Sequence, residues 1–375
     1  MIKVGILSMQ RIYNYGSFLQ AYGLKQMLID LGCEVEFVDY HPGKCLVESS
    51  ESVGFKRKIS KITETLSYKA SFKNKVKFLL YKKNYAGKHY PLLGITEKAN
   101  YNPKIDLLVI GSDEVFNCVQ SNSNVGFSLD LFGKNNNSQK LISYAASFGN
   151  TTIDKIEKYG IRDILSECLC KFDRISVRDN NSGNIVKKLT GNEPEYNLDP
   201  VLMYNYIGKC NKIPELSKKE KYLVLYGYSG RFTNKECKQI KEFSKQNNLK
   251  IYCIGGVQNA CDKFVDCNAF EVISYFQNAD YVITDTFHGT ILSVITHRQF
   301  VSVVRRNGYG NSEKLVDLLE RLSLNDREIA DLSDISSMLL KKIDYCETDK
   351  TINIERKKAV DYLKDQIVGV NNDRK

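Results

Sequence analysis

The stretch Tyr281-Val282-Ile283-Thr284-Asp285-Thr286-Phe287-His288-Gly289-Thr290-Ile291-Leu292-Ser293-Val294-Ile295 decides how this chain is read. Its first three residues are an apolar run that predicts a buried parallel strand. Its last five predict a helix packed on the same sheet. Between them lies a polar turn with one glycine. A strand-to-helix turn aims unpaired backbone N–H groups at whatever sits before the helix, and such a socket suits phosphate or carboxylate. His288 stands at the same point. Its imidazole changes charge near neutral pH, so it can move a proton, although a helix start disfavours the cation. The plainer reading is a structural histidine at a helix cap.

Outward from this stretch the same alternation recurs. Residues 2–7 predict a strand, 16–28 a helix stopped by Leu31-Gly32, and Glu34–Val38 a second strand. Further strands are predicted at 105–110, 141–146, 174–178, 222–226, 250–254 and 300–304. Helices are predicted at about 152–171, 180–189, 233–247, 270–278, 312–322 and 353–368. Strands alternating with helices predict parallel sheets. Residues 205–220, with Gly208, Pro214 and a lysine run, read as a linker. The expected fold is α/β, with two Rossmann-like domains facing across a cleft. The first spans 1–205 and the second 215–345. A terminal segment at 350–375 reads as a helix crossing back to the first domain.

Composition narrows the function classes. The 375 residues carry a net charge of +10, and residues 51–90 hold eleven basic against two acidic side chains. That segment therefore supplies +9, and the remainder is nearly neutral. Apolar residues at helical spacing predict two basic helices there, about 57–67 and 71–84, with aromatics interleaved. Such helices suit peripheral contact with an anionic membrane; the plainer reading is a solvated pair covering the first domain. The confined basic run and the lack of a nucleic-acid fold argue against nucleic acid. No apolar run approaches the roughly 20 residues of a membrane span. Residues 1–7 are too short and strand-like for a signal peptide, so a cytoplasmic location is expected. Eleven cysteines without a CxxC pair point to reduced thiols and no metal site. No GxGxxG follows the first strand, so a dinucleotide site is not supported.

Several residues fall where ligands bind in such sheets. The connection 8–15 ends in Asn14-Tyr15-Gly16 at the carboxyl end of the first strand. Gly111-Ser112-Asp113 ends another. Asp113 reads as a helix cap or as a carboxylate that handles an acceptor hydroxyl. Arg178 ends the strand Ile175-Ser176-Val177-Arg178. It suits bidentate phosphate or carboxylate recognition, or else a surface pair with Asp179 of little worth. Gly255-Gly256 reads as a phosphate approach or a tight turn.

Taken in order, these residues resemble the polysaccharide pyruvyl transferase family nearly end to end. The matching patches are Asn14-Tyr15-Gly16 with Leu19-Gln20-Ala21-Tyr22, Gly111-Ser112-Asp113 with Asn117, and Ser143-Tyr144-Ala145-Ala146-Ser147-Phe148-Gly149. Ser176-Val177-Arg178-Asp179, Leu198-Asp199-Pro200-Val201-Leu202 and residues 284–290 complete the series. The resemblance implies a glycosyltransferase-B-like architecture. It also implies transfer of the enolpyruvyl unit of phosphoenolpyruvate to a sugar diol, giving a pyruvate ketal and phosphate, with no cofactor. Arg178 and His288 map onto family residues that contact the donor. Many family members carry arginine two residues before that histidine; here the residue is Thr286. The missing cation has candidates in Arg305, Arg306 and Lys3.

The mechanism that follows has Arg178 and the N–H groups of Gly289 and Thr290 holding the donor, with Thr286 and Arg305 beside them. His288, as imidazolium, protonates the methylene carbon. Asp113 or Asp285 deprotonates a hydroxyl or orients His288. Asn14, Tyr15, Ser112 and Asn117 are the expected acceptor contacts, the acceptor being a saccharide, free or lipid-linked. Two rival readings are a nucleotide-sugar glycosyltransferase, with Glu271 on the ribose, and a non-catalytic glycan- or membrane-docking protein.

Overall fold

The computed structural model describes residues 1–47, 63–65, 67–217, 219–305 and 312–372. Among the described residues twelve strands form two six-stranded sheets. The first sheet holds β1 (Lys3–Leu7), β2 (Glu34–Val38), β3 (Leu107–Asp113), β4 (Lys140–Ala146), β5 (Ser176–Val177) and β6 (Glu195–Tyr196). Their order is β2-β1-β3-β4-β5-β6, and every pairing is parallel. The second holds β7 (Tyr222–Tyr226), β8 (Lys250–Ile254), β9 (Lys263–Phe264), β10 (Tyr281–Thr284), β11 (Gln299–Val303) and β12 (Glu328–Ile329). Their order is β12-β11-β10-β7-β8-β9, again all parallel. Each sheet is a Rossmann-like α/β unit.

The strands form because their central residues are apolar and buried on both faces. Val4, Ile6, Val109, Ile110, Leu223, Val224, Leu225, Val282 and Ile283 are all fully buried. In both sheets the strand order reverses beside the first strand of the unit, between β1 and β3 and between β10 and β7. Ligands bind outside the carboxyl ends of strands at such reversals. The loops after β1, β3, β7 and β10 all reach one cleft, so two switch points face each other across it.

Several elements differ from the sequence reading. The helix expected at about 152–171 is two, Ile153–Lys158 and Arg162–Leu169. Gly160 adopts φ +62° between them, a left-handed turn that stops the first. The strand expected at 105–110 spans Leu107–Asp113, so Gly111-Ser112-Asp113 forms its last three residues. The edge strands β6, β9 and β12 have two residues each, too few to show a period.

The reading of 57–67 as a helix lies mostly outside the described residues. The second basic helix is longer than expected, Phe72–Leu93, because the buried stripe Phe78, Tyr81, Tyr85, His89 and Leu93 continues it by about two and a half turns. Its inner face joins the two units. The Asn74 amide donates to the Asp262 carbonyl at 3.0 Å and accepts from Phe264 N–H at 3.0 Å. Lys88 pairs with Asp266 at 3.0 Å. Phe72, Val76 and Leu80 form an outward stripe, exposed by 73%, 37% and 49%.

The last helix, Cys346–Asn372, lies against the first sheet's unit. The Tyr362 hydroxyl donates to the Ser143 carbonyl at 2.7 Å, Lys140 reaches the Gln366 carbonyl, and Arg356 donates to the Leu202 carbonyl. Among the described residues no helix is long and apolar enough to cross a membrane.

Candidate functional site

The cleft is a cavity of about 290 Å³ whose lining comes from both units. From the first come Tyr13, Asn14, Tyr15, Ser17, Asp113, Glu114 and Arg178. From the second come Tyr226, Tyr228, Thr286, Phe287, His288 and Lys314. The two halves touch directly. The Asn14 amide donates to the Tyr228 hydroxyl at 2.7 Å, and the Tyr15 hydroxyl donates to the Cys267 carbonyl at 2.9 Å.

Two helix starts meet at the centre. Asn14 caps the helix Tyr15–Asp30, its side-chain oxygen accepting from Gly16 and Ser17 N–H. Thr286 caps the helix Phe287–Ile295, accepting from Gly289 N–H at 3.0 Å. His288 on the second helix packs against Gly16 on the first. A Cβ at residue 16 would sit 2.2 Å from the His288 ring. Glycine there is what lets the imidazole approach.

Arg178 is the electrostatic hub. Its side chain is 2% exposed and bridges two carboxylates, Asp199 at 2.8 Å and Asp113 at 3.2 Å. Its guanidinium lies 4.5 Å from the centre of the Phe287 ring. Its Nε has no partner and is buried. Asp113 also accepts from the Ser17 hydroxyl at 2.8 Å. The surface pair between Arg178 and Asp179 does not form. Asp179 instead caps the helix Asn180–Thr190 and accepts from Ser147.

His288 Nε2 lies 3.6 Å from Asp199 Oδ2, within ion-pair range but beyond a hydrogen bond. Burial would raise the Asp199 pKa; His288 and Arg178 outweigh it and hold the carboxyl below its usual value. Burial likewise opposes ionisation of Asp113, and Arg178, His288 and Ser17 overcome it. Both groups are therefore carboxylates at neutral pH.

The structure brings His288, Arg178, Asp113, Asn14, Tyr15 and Thr286 into one cleft. The other expected site residues sit elsewhere. Asp285 lies behind it, accepting from Arg231 at 2.7 Å and Arg305 at 3.1 Å. The carboxylate beside His288 is Asp199, not Asp285. Arg305 also pairs with Glu236 at 2.9 Å, so a buried ion network holds it away from the cleft lining. Ser112 is fully buried, its hydroxyl donating to the Ala145 carbonyl. Asn117 ties its own loop, donating to Glu114 and accepting from Val119 N–H and the Thr151 hydroxyl. Neither lines the cleft.

The N–H groups of Gly289 and Thr290, expected to hold the donor, are taken by the Thr286 side chain and carbonyl. The cap leaves Phe287 and His288 as the helix's forward donors. Glu271 belongs to a capping box with Asn268. Gly255 lines the cleft with φ +85°, a turn that needs glycine. Lys3 pairs with Glu34 at 3.8 Å, at the amino end of β1 and far from the cleft. Arg306 lies outside the described residues.

Sequence reasoning passed over Asp199, Lys314 and Tyr228. Asp199 sits in the patch Leu198–Leu202 that carries the resemblance, where the sequence reading gives it no role of its own. It caps the helix that follows, Oδ1 accepting from Val201 N–H at 3.0 Å, while Oδ2 faces His288 and Arg178. Among the described residues no cluster of three or more metal-ligating side chains is placed to hold an ion.

Solved structures with a similar course include a UDP-GlcNAc 2-epimerase from Methanocaldococcus jannaschii. It is 10% identical over 94% of this chain and 99% of that one, with a TM-score of 0.45. The MnaA protein of S. aureus, solved with UDP, is 8% identical over 94% and 95%, with a TM-score of 0.49. A glycotransferase of kitacinnamycin is 10% identical over 97% and 99%, with a TM-score of 0.45. Likeness at this level bears on neither substrate nor reaction. No curated protein matches the chain significantly. A family model described as "Polysaccharide pyruvyl transferase" matches residues 14–307, a span that holds every residue of the cleft named above except Tyr13 and Lys314. The chain belongs to the polysaccharide pyruvyl transferase family.

Proposed function

We propose that this protein transfers the enolpyruvyl unit of phosphoenolpyruvate to a pair of hydroxyls on a saccharide, forming a pyruvate ketal. The saccharide is a cell-surface polysaccharide or its lipid-linked precursor. The observation that carries the reading is the His288–Asp199 pair at 3.6 Å, set in a cleft where buried Arg178 emerges. Ketal formation from an enol phosphate must begin with a proton delivered to carbon. An imidazolium held beside a fixed carboxylate is a suitable donor.

The steps balance as follows. His288 gives its proton to the methylene carbon, which becomes a methyl group. The positive charge develops at the adjacent carbon, shared with the bridging oxygen. One saccharide hydroxyl attacks that carbon and gives its proton to a base. Asp113 lines the cleft and is ionised, so it suits this role; neutral His288 can take the second proton. The C–O bond to phosphate then breaks and phosphate leaves with the bond's electrons. The second hydroxyl closes the ring on the same carbon. Arg178, with its buried unpaired Nε, and the Phe287 and His288 N–H groups favour the donor's negative charge. Tyr13, Asn14 and Tyr228 offer polar and aromatic surface to the acceptor.

The test is incubation of the purified chain with phosphoenolpyruvate and a panel of bacterial surface saccharides. Acceptor-dependent phosphate release matched by a new ketal methyl signal in the proton NMR spectrum is expected. Release of UDP from a nucleotide sugar, with no phosphate released from phosphoenolpyruvate, would overturn the assignment.

A further inference from the structure

Resting on this reading, we infer that Lys314 supplies the second donor-binding cation that Thr286 does not provide in this chain. A phosphate and a carboxylate on one small molecule need more than one cation. Arg178 is the only arginine lining the cleft among the described residues, and two carboxylates already engage it. Arg305 is bound to Glu236 and Asp285, and Lys3 lies at the opposite end of its strand. Lys82 also lines the cleft, but it is exposed on the Phe72–Leu93 helix, with its ammonium 5.6 Å from the Phe78 ring.

Lys314 is placed differently. It lies in the first turn of the helix Ser312–Arg321, and its side chain is only 10% exposed. Its ammonium projects into the cleft and pairs with Glu114 of the first unit. It also lies 5.9 Å from the Phe287 ring, the ring that Arg178 approaches at 4.5 Å. Arg178 and Lys314 thus converge on the residue that opens the His288 helix. Phe287 also carries one of the two N–H groups that the Thr286 cap leaves forward. A phosphate set before this helix start meets the N–H groups and both cations together.

Glu114 is the counter-ion in the ligand-free cleft. Burial would raise its pKa, and Lys314 outweighs that effect and keeps it ionised. Glu114 is further held by the Asn117 amide at 2.8 Å. A lysine is a mobile point charge on a flexible stem. It can exchange Glu114 for phosphate with small movement of its stem. The pair also joins the two units, so donor binding alters a contact across the cleft.

The experiment measures affinity for inorganic phosphate and for phosphoenolpyruvate by calorimetry on the full chain. Lys314→Met keeps the apolar stem and removes the charge. It should weaken both affinities about ten- to a hundredfold, the value of a hydrogen bond between charged groups. Thr286→Arg added to Lys314→Met should restore part of the loss, since residue 286 lines the same cleft. Glu114→Gln separates the roles, because it frees the lysine; phosphate affinity should hold or rise. Unchanged affinity in a folded Lys314→Met variant would overturn the inference. So would equal weakening in Glu114→Gln and Lys314→Met, which marks a structural latch. If Lys314 governs phosphate affinity while the wild type forms no ketal, the cation stands and the proposed reaction falls.

Discussion

Asp199→Asn tests the proposed proton donor with the smallest change of side-chain shape. The amide keeps the shape of the carboxylate. Its one oxygen can still cap Val201 N–H, but its NH2 group then faces Arg178, which keeps Asp113 as its carboxylate partner. What is lost is the negative charge 3.6 Å from His288 Nε2. Two unit charges at that separation attract by about 4–5 kcal/mol at an effective dielectric near 20. Arg178 offsets some of this. A loss of about 3–5 kcal/mol in the transition state is about 10²–10⁴ in rate, which is also the usual range for general acid catalysis.

The assay is phosphate release from phosphoenolpyruvate with saturating acceptor, alongside thermal melts. We expect kcat to fall by about 10²–10⁴, with donor affinity within a few-fold and a lowered melt from loss of the buried Arg178–Asp199 pair, the variant remaining folded. Asp285→Asn is the control. It should cost stability on the order of 3–5 kcal/mol through Arg231 and Arg305, with kcat nearly kept. Near-normal kcat in Asp199→Asn, or a larger kcat loss in Asp285→Asn, would refute the pairing of His288 with Asp199.

Arg178→Lys should lose donor affinity nearly as far as Arg178→Ala, because one ammonium cannot span Asp199 and Asp113 as the guanidinium does; unchanged donor KM would remove Arg178 from the site. Gly16→Ala should cost activity more than stability. Its Cβ would displace the His288 ring, while the gain of about 1 kcal/mol in helix propensity offsets part of the overpacking; full activity would show that the ring position is not needed. Stability should stay level from neutral pH down to about pH 4 and fall below it. Asp113, Asp199, Glu114 and Glu236 all have lowered pKa values, so their contribution is present above the unfolded value and lost as they protonate. A thermal-melt series across pH that falls already near pH 6 would contradict this. The outward stripe Phe72, Val76 and Leu80, with Lys73 and Lys83 exposed beside it, should bind anionic vesicles and release them at high salt, since each surface lysine is worth about 1 kcal/mol; equal, negligible co-sedimentation with anionic and neutral vesicles would leave the stripe as plain surface.

The fold was legible because a buried parallel strand must be apolar on both faces, so a short continuous apolar run bounded by turn residues marks it. Val109-Ile110 and Val282-Ile283 could be placed on sight, and with them the strand ends that carry Asp113 and His288. Spacing along one strand–helix unit says nothing about which unit faces it. Asp199 and His288 are 89 positions apart and belong to different sheets' units. Their approach depends on how the two switch points face each other, a relation with no local signature. Asp199 also carries a local role, the cap on Pro200–Met203, which by itself accounts for an aspartate before a proline. Asp285 shows the converse. It lies in the most informative stretch of the chain, three residues before His288, yet a residue at the turn's start points back into the sheet, where Arg231 and Arg305 meet it. Proximity in sequence at a strand-to-helix turn places side chains on opposite sides of it. For that reason the partner of a catalytic group at such a turn is better sought on the facing unit than among its neighbours in the chain.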